Sequence, residues 1–192
     1  YIVMPTICQI NTTLNSGSTG RIAEDVGVTA MQNGWQSYIT YGKPSGTSQS
    51  HAIRIGNDWD IKFHALVTRL FDIHGFASMH ATRRFIHELD AINPDIIHLH
   101  NIHGYYLNAE VLFEYIKKKR MPVVWTLHDC WPLTGHCSYF DYVNCDKWKT
   151  GCCFCPNKKG YPASVFLDRA KQNYIRTKEL FTSIRNITVV TP

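Results

Sequence analysis

Short apolar runs alternate along this chain with longer stretches of helical period. Pro5–Asn11 reads as a strand and opens into Thr12–Thr19, a loop of Asn, Ser, Thr and Gly. From Gly20 to Asn33 the apolar positions Ile22, Ala23, Val26 and Ala30 fall on one side of a helix, and Gly34 stops it. Gln36–Tyr41 alternates as a second strand, and the small-residue loop Gly42–Ser50 leads to a third at Ala52–Ile55. Asp58–Leu70 and Ala77–Ile92 carry helical period on either side of Gly75. Pro94–His100 is a fourth strand. Tyr106–Lys119 is a helix whose end is marked by the basic run Lys117–Arg120, where cations suit the helix dipole. Pro122–Leu127 is a fifth strand, followed by an irregular loop over 129–162, a helix through Ala163–Phe181 and a last strand at Ile187–Val190. This alternation, without internal repeat, predicts an α/β domain with a Rossmann-like parallel sheet and helices on both faces.

Composition narrows the class. The 192 residues suffice for one such domain with a full core, and 44% hydrophobic with 18% charged residues is the balance of a globular protein. No apolar run approaches the roughly 20 residues that span a bilayer. The opening Tyr-Ile-Val-Met-Pro has neither a basic n-region nor a cleavable apolar segment, so a cytoplasmic location is expected. A net charge of +5 allows attraction to phosphorylated ligands or anionic lipid, but it is not the footprint of a nucleic-acid binder. The chain stops at Thr191-Pro192, directly after an apolar strand, which suggests a fragment whose partner domain lies beyond it.

Six of the seven cysteines lie between Cys130 and Cys155, while Cys8 sits in the first apolar strand as a core residue. Cys152-x2-Cys155 is the kind of tight turn that lets two sulfurs face one point, and Cys137 and Cys145 can fold back to complete four ligands. A structural metal, zinc by ligand type, with the loop 129–160 as its dependent, is the leading reading. Free thiols or disulfides, a redox pair and an iron–sulfur cluster are the alternatives. A redox pair should open a helix after a strand, whereas Pro156 and Lys158-Lys159-Gly160 keep this stretch irregular. Cys130 and Cys153 are spare.

Three further stretches carry chemistry. Asn15-Ser-Gly17-Ser-Thr-Gly20-Arg21 joins the first strand to the first helix, where glycines permit close backbone approach and a helix N-terminus offers N–H groups to phosphate. It is neither a dinucleotide fingerprint nor a P-loop, and Tyr41-Gly42 stands where an NAD enzyme would place an acidic residue. His98 through Tyr106 packs polar groups at the exit of the fourth strand. At the fifth-strand exit stands His128-Asp129, an imidazole beside a carboxylate, suited to gripping sugar hydroxyls or moving a proton. Lys62–Arg84 interleaves Phe63, Leu66, Leu70, Phe71 and Phe76 with Lys62, Arg69, Arg83 and Arg84. Such a pattern fits a helix packed on a sheet or one that meets an anionic membrane surface.

In this order the pieces resemble the N-terminal domain of a family 4 retaining glycosyltransferase of the GT-B fold. The resembling stretches are Gln9-Ile10-Asn11 with Gly17–Arg21, Ala81-Thr82, Pro94–Asn108, Thr126–Cys137 and Gly151–Pro156, and they span nearly the whole chain. The resemblance is to the branch that builds bacterial capsule, exopolysaccharide or O-antigen. It implies that residues 1–192 form the acceptor-side domain, with a C-terminal domain holding most of a nucleotide-sugar donor and an acidic motif of two spaced glutamates. None of Glu24, Glu88, Glu110, Glu114 and Glu179 has that spacing. By position, Gly17 and Gly20 would approach the donor diphosphate, and His128 and Asp129 would line the transferred sugar and the attacking hydroxyl. His103, Tyr105, Tyr106 and Asn108 would meet the saccharide or lipid-linked acceptor, with peripheral contact to the inner membrane. A zinc-stabilised binding module on the same scaffold, without catalysis, is the competing reading.

Overall fold

The structure, a computed structural model, describes residues 4–191; residues 1–3, on which the reading of the chain's opening rests, and Pro192 lie outside it. Six strands run parallel in one sheet: β1 (Thr6–Thr13), β2 (Gln36–Lys43), β3 (His51–Arg54), β4 (Ile96–Leu99), β5 (Val123–Thr126) and β6 (Ile187–Val190). Their order is β3-β2-β1-β4-β5-β6. Parallel neighbours need crossovers, supplied here by α1 (Gly17–Gln32), α2 (Asp58–Phe71), α3 (Met79–Ile92), α4 (Ala109–Lys119) and α5 (Ala170–Thr182). The expected Rossmann-like α/β fold is thereby observed, and its sequence order reverses between β1 and β4.

Helix boundaries follow local chemistry. Asn108 caps α4, which begins at Ala109, three residues later than periodicity places it, because the Asn108 side chain accepts from the Val111 amide. The chain before α5 is held out of the helix by a polar turn in which Ser164 Oγ donates to the Leu167 carbonyl and Asp168 Oδ1 accepts from the Ala170 amide.

Two faces differ from the sequence reading. Helix α1 buries Gly20, Ala23, Glu24 and Gly27, and leaves Ile22 exposed. Close approach explains the choice: a Cβ on Gly27 would stand 2.5 Å from Ser50 Oγ and 2.9 Å from Ser37 Oγ, so only glycine lets the helix settle on β2 and the turn before β3. Helix α2 buries His64 and Thr68 while Trp59, Phe63, Leu66 and Phe71 face outward. His64 is drawn in by its Nδ1 contact with Ser78 Oγ at 2.8 Å. Phe76, by contrast, lies in the core.

The core is continuous across the sheet, from Cys8 and Ile10 on β1 through Ile97 and Leu99 on β4 to Trp125 on β5, with Phe85, Leu112 and Phe113 from the covering helices. The long segment between β5 and α5 contains only single 3-10 turns, at Trp131–Leu133, Asp141–Val143 and Lys147–Lys149. It is nonetheless packed down. A Cβ on Gly135 would lie 1.8 Å from the Ala170 carbonyl oxygen, so the segment runs directly against the first turn of α5.

Candidate functional site

Open parallel sheets place ligands beyond the carboxyl ends of their strands, at the point where strand order reverses. Here that point lies between β1 and β4, and a chain of buried polar groups crosses it. Gln9 on β1 is fully buried; its amide nitrogen donates to the Ala23 carbonyl at 2.8 Å, which leaves its oxygen facing His100 Nε2 at 3.0 Å. The His100 pKa is pushed down to about 2, by burial first and then by His98 and His128, so its ring is neutral. With its proton on Nε2 toward Gln9, His100 offers Nδ1 as an acceptor, and His128 Nε2 donates to it at 3.0 Å. His128 therefore keeps a lone pair on Nδ1. This ring is half-buried, and burial lowers its pKa against the opposing pull of Asp129. His98 stacks on His100 with ring centres 4.2 Å apart and meets Thr126 Oγ1 at 2.9 Å; burial, then His128, lowers its pKa to about 4.

A second pair stands beside the first. His103 Nε2 lies 2.7 Å from Asp129 Oδ2, both side chains are buried, and Asp129 Oδ1 accepts from the Trp131 amide. Trp131 packs against His103 with ring centres 5.1 Å apart, and Thr12 Oγ1 faces the Asn101 and His103 carbonyls, at 3.0 and 2.7 Å. Tyr105, at φ +73°, is half-buried and lies with Tyr161 against the buried His74 ring. Neither nitrogen of His74 has a partner among the described residues, and burial, reinforced by the neighbouring His103, His64, His136 and Lys43, holds its pKa well down. Gln9, His74, Trp131 and Tyr161 thus join the site although periodicity marks none of them; each is an isolated residue in an apolar strand or an irregular loop.

The other expected positions divide. Gly17, exposed at φ +66°, opens α1, whose first turn carries no acidic residue and whose Ser16 side chain makes no capping bond. Free N–H groups therefore face outward there. Gly20 is buried, and a Cβ on it would press on Thr13 Oγ1 at 2.9 Å, so its work is to let the loop fold tightly onto the helix. Asn15 (φ +42°), its side chain on the Thr47 carbonyl, and Ser45, bridging to Leu14, brace that loop. Tyr106 and Asn108 turn inward. The Tyr106 hydroxyl donates to the Asn101 carbonyl, and Asn108 spends its amide on Phe76 and its oxygen on Val111, so both serve as scaffold.

Cys8 is a core thiol, raised to about 12 by burial. Cys137, Cys145, Cys152 and Cys155 line one small cavity together with Cys153 and His136, and all seven cysteines are free of disulfides. Among the described residues no three His, Cys, Asp or Glu side chains already stand in ligating geometry for a metal. No strand or helix adjoins Cys152–Cys155, which removes the context a redox pair needs. A separate apolar cavity of about 400 Å³, walled by Trp125, Leu133, Trp148 and Phe181 beside β6, contains no histidine, carboxylate or thiol.

No family model matches the chain. It is 31% identical over 187 residues to an Escherichia coli (strain K12) protein carrying the provisional name colanic acid biosynthesis glycosyl transferase WcaC. That similarity covers 91% of this chain and 45% of the relative, so the chain spans a little under half of the relative's length.

The neutral histidine chain has a thermodynamic signature. A histidine whose folded pKa lies below its ordinary 6.5 stabilises the fold fully above that pH, and the contribution is withdrawn as pH falls toward the folded value. His100, His98 and His64, the last lowered by burial to about 3, should each steepen the loss of stability below pH 6.5, by at most about 1.4 kcal/mol per pH unit. Urea midpoints at a series of pH values should show a shallower acid slope for His100→Gln than for the wild type. Equal slopes would mean that His100 takes up a proton in the folded state as easily as in the unfolded one.

Proposed function

We propose that this chain is the acceptor-side domain of a GT-B glycosyltransferase, of the family 4 retaining type, acting in bacterial polysaccharide biosynthesis. The similarity to a protein named as a colanic acid glycosyl transferase supports the reaction class, and the strand order with its polar switch-point crevice supports the location of the site. The observation that carries the reading is the Gln9–His100–His128 chain, which fixes one imidazole at the β5 exit with an unprotonated Nδ1.

In this reading a nucleotide-sugar donor is held mostly by a second domain, and its diphosphate approaches the α1 N-terminus at Gly17, where free N–H groups and the helix dipole suit an anion. An acceptor saccharide hydroxyl lies against His128, whose Nδ1 accepts its hydrogen bond and aims its oxygen at the anomeric carbon. The bond from that carbon to the diphosphate breaks, its electron pair leaving with the phosphate, the new carbon–oxygen bond forms, and the hydroxyl proton passes to His128 Nδ1. Asp129, clamped by His103 and the Trp131 amide, keeps negative charge beside the sugar, where positive charge develops. Tyr105 and Tyr161 offer aromatic faces to an acceptor ring.

The outward face of α2 fits peripheral contact with the cytoplasmic face of an anionic membrane, where a lipid-linked acceptor would reside. It carries Trp59 (77% exposed), Phe63 and Leu66 beside Lys62 and Arg69. The exposed Val165-Phe166-Leu167 loop extends this face through the Val165 amide, which donates to the Arg69 carbonyl. Among the described residues no helix is long and apolar enough to cross a membrane.

Two measurements test this. In the full-length protein, His128→Ala should slow sugar transfer by roughly 10²–10³-fold, the usual loss for one positioned hydrogen bond at a reacting centre, while leaving the melting temperature nearly unchanged. A destabilised variant with near-normal turnover would remove His128 from the site, and a full-length wild type that transfers no sugar would favour the binding-module reading. Vesicles containing anionic lipid should co-sediment the wild type better than a Trp59→Ser, Phe63→Ser variant; equal recovery would remove the membrane contact.

A further inference from the structure

Cys137, Cys145, Cys152, Cys153 and Cys155 are spread along the segment between β5 and α5, yet they border a single cavity of about 10 Å³, room for one small ion. Five unpaired thiols gathered inside a folded segment are unusual in themselves. What surrounds them is more telling.

Buried hydrogen-bonding groups without partners are rare in native folds, and each calls for an explanation. Two of them border this cavity. Trp148 Nε1, which can only donate, is buried and unpartnered among the described residues. His136 Nε2 is likewise buried and unpartnered, while its Nδ1 is held by Asp72 Oδ1 at 2.5 Å. Asp72 is itself almost fully buried, and its other oxygen accepts from the Arg169 amide. An indole N–H, and an imidazole protonated on both nitrogens with its Nδ1–H on the Asp72 carboxylate, would make poor hydrogen bonds to neutral thiols. Aimed at metal-bound thiolates they would make good ones, because a zinc ion with four thiolates carries a net charge of −2 and its sulfurs accept strongly.

We propose that Cys137, Cys145, Cys152 and Cys155 close on one zinc ion as a four-thiolate structural centre, with Trp148 Nε1 and His136 Nε2 donating to its sulfurs. Four thiol protons leave as Zn²⁺ binds, and no position stays open for a substrate or water, so the centre is structural. It would lock the segment that delivers Asp129, Trp131 and Tyr161 to the crevice. Cys130 lies away from the cavity, and Cys153, which borders it, is left out because Cys152 and Cys155 already supply the two sulfurs of the tight turn. The inference does not rest on the transferase reading, since metal content is measured without any turnover.

Protein purified without added metal should contain about one zinc per chain by elemental analysis. Replacement by Co²⁺ should give the intense sulfur-to-cobalt charge-transfer bands and visible absorption of a tetrahedral four-thiolate site. Cys145→Ser and Cys152→Ser should lose the metal, and Cys153→Ser should keep it. Trp148→Phe and His136→Gln should still bind one zinc but yield it to a competing chelator about 10–100-fold more readily, as sites do when a hydrogen bond to a ligand is lost. An absence of zinc with disulfides among the four cysteines would overturn the proposal. So would an iron–sulfur chromophore, or a cobalt spectrum showing nitrogen ligation. Unchanged zinc release from both the Trp148→Phe and His136→Gln variants would overturn the role given to Trp148 and His136. Should the cysteine variants fail to fold, the metal content and cobalt spectrum of the wild type decide.

Discussion

A parallel sheet covered by helices on both faces has no water to offer the polar groups inside it, so each one must find its partner within the protein. Gln9 and His100 meet that demand across β1 and β4. Their bond fixes the His100 proton, which fixes the acceptor nitrogen presented to His128, which in turn fixes the free nitrogen of the outermost ring. The chemistry at the crevice is thus decided in the core, by an amide that never meets solvent. Trp125 Nε1 adds to the same order by donating to the His100 carbonyl at 3.1 Å, which ties β5 to the end of β4.

A second buried carboxylate does for the long segment what Gln9 does for the crevice. Asp72 ends α2 in a left-handed conformation, holds His136 and the Arg169 amide with its side chain, and accepts from Asn173 of α5 with its carbonyl. One residue thereby binds α2, the cysteine-bearing segment and α5 together. The segment has almost no regular secondary structure of its own, so its shape depends on such tethers and on whatever its thiols hold. Asp129, which clamps His103, lies at its start, and Tyr161, which packs on His74, near its end. Disturbing the segment would therefore reach the crevice from both sides.

Much of the architecture can be read from the residues, because parallel strands buried on both faces leave unbroken apolar runs. The last strand was placed at its observed limits, Ile187–Val190, and β2 begins at the expected Gln36. His128 and Asp129 were legible for a similar reason: they are polar residues immediately after an apolar run. Orientation was harder. Periodicity gives a stripe on α1 and α2 without saying which side meets the sheet, and there the decision fell to Gly27, which lets α1 approach, and to His64, which bonds Ser78. Tyr106 and Asn108 looked available because they follow a histidine-rich loop. Gly104 at φ +112° and Tyr105 at φ +73° turn the chain so that both point into the core, a backbone event with no periodic signal. His74 left no trace beyond its single letter, and Gln9 stood only within a resembling stretch with no role attached, since their roles come from strands and loops far away in sequence.

The most direct test of the neutral histidine chain is histidine-selective ¹⁵N NMR of this domain, followed as pH is lowered from about 8 to about 5. The account predicts that His100 and His128 both carry their proton on Nε2, and that His100 stays neutral across the whole range because its pKa lies near 2. If His100 instead titrates near the ordinary value of 6.5, or carries its proton on Nδ1, the order of donors from Gln9 outward is wrong, and His128 does not present the free nitrogen on which the proposed chemistry depends.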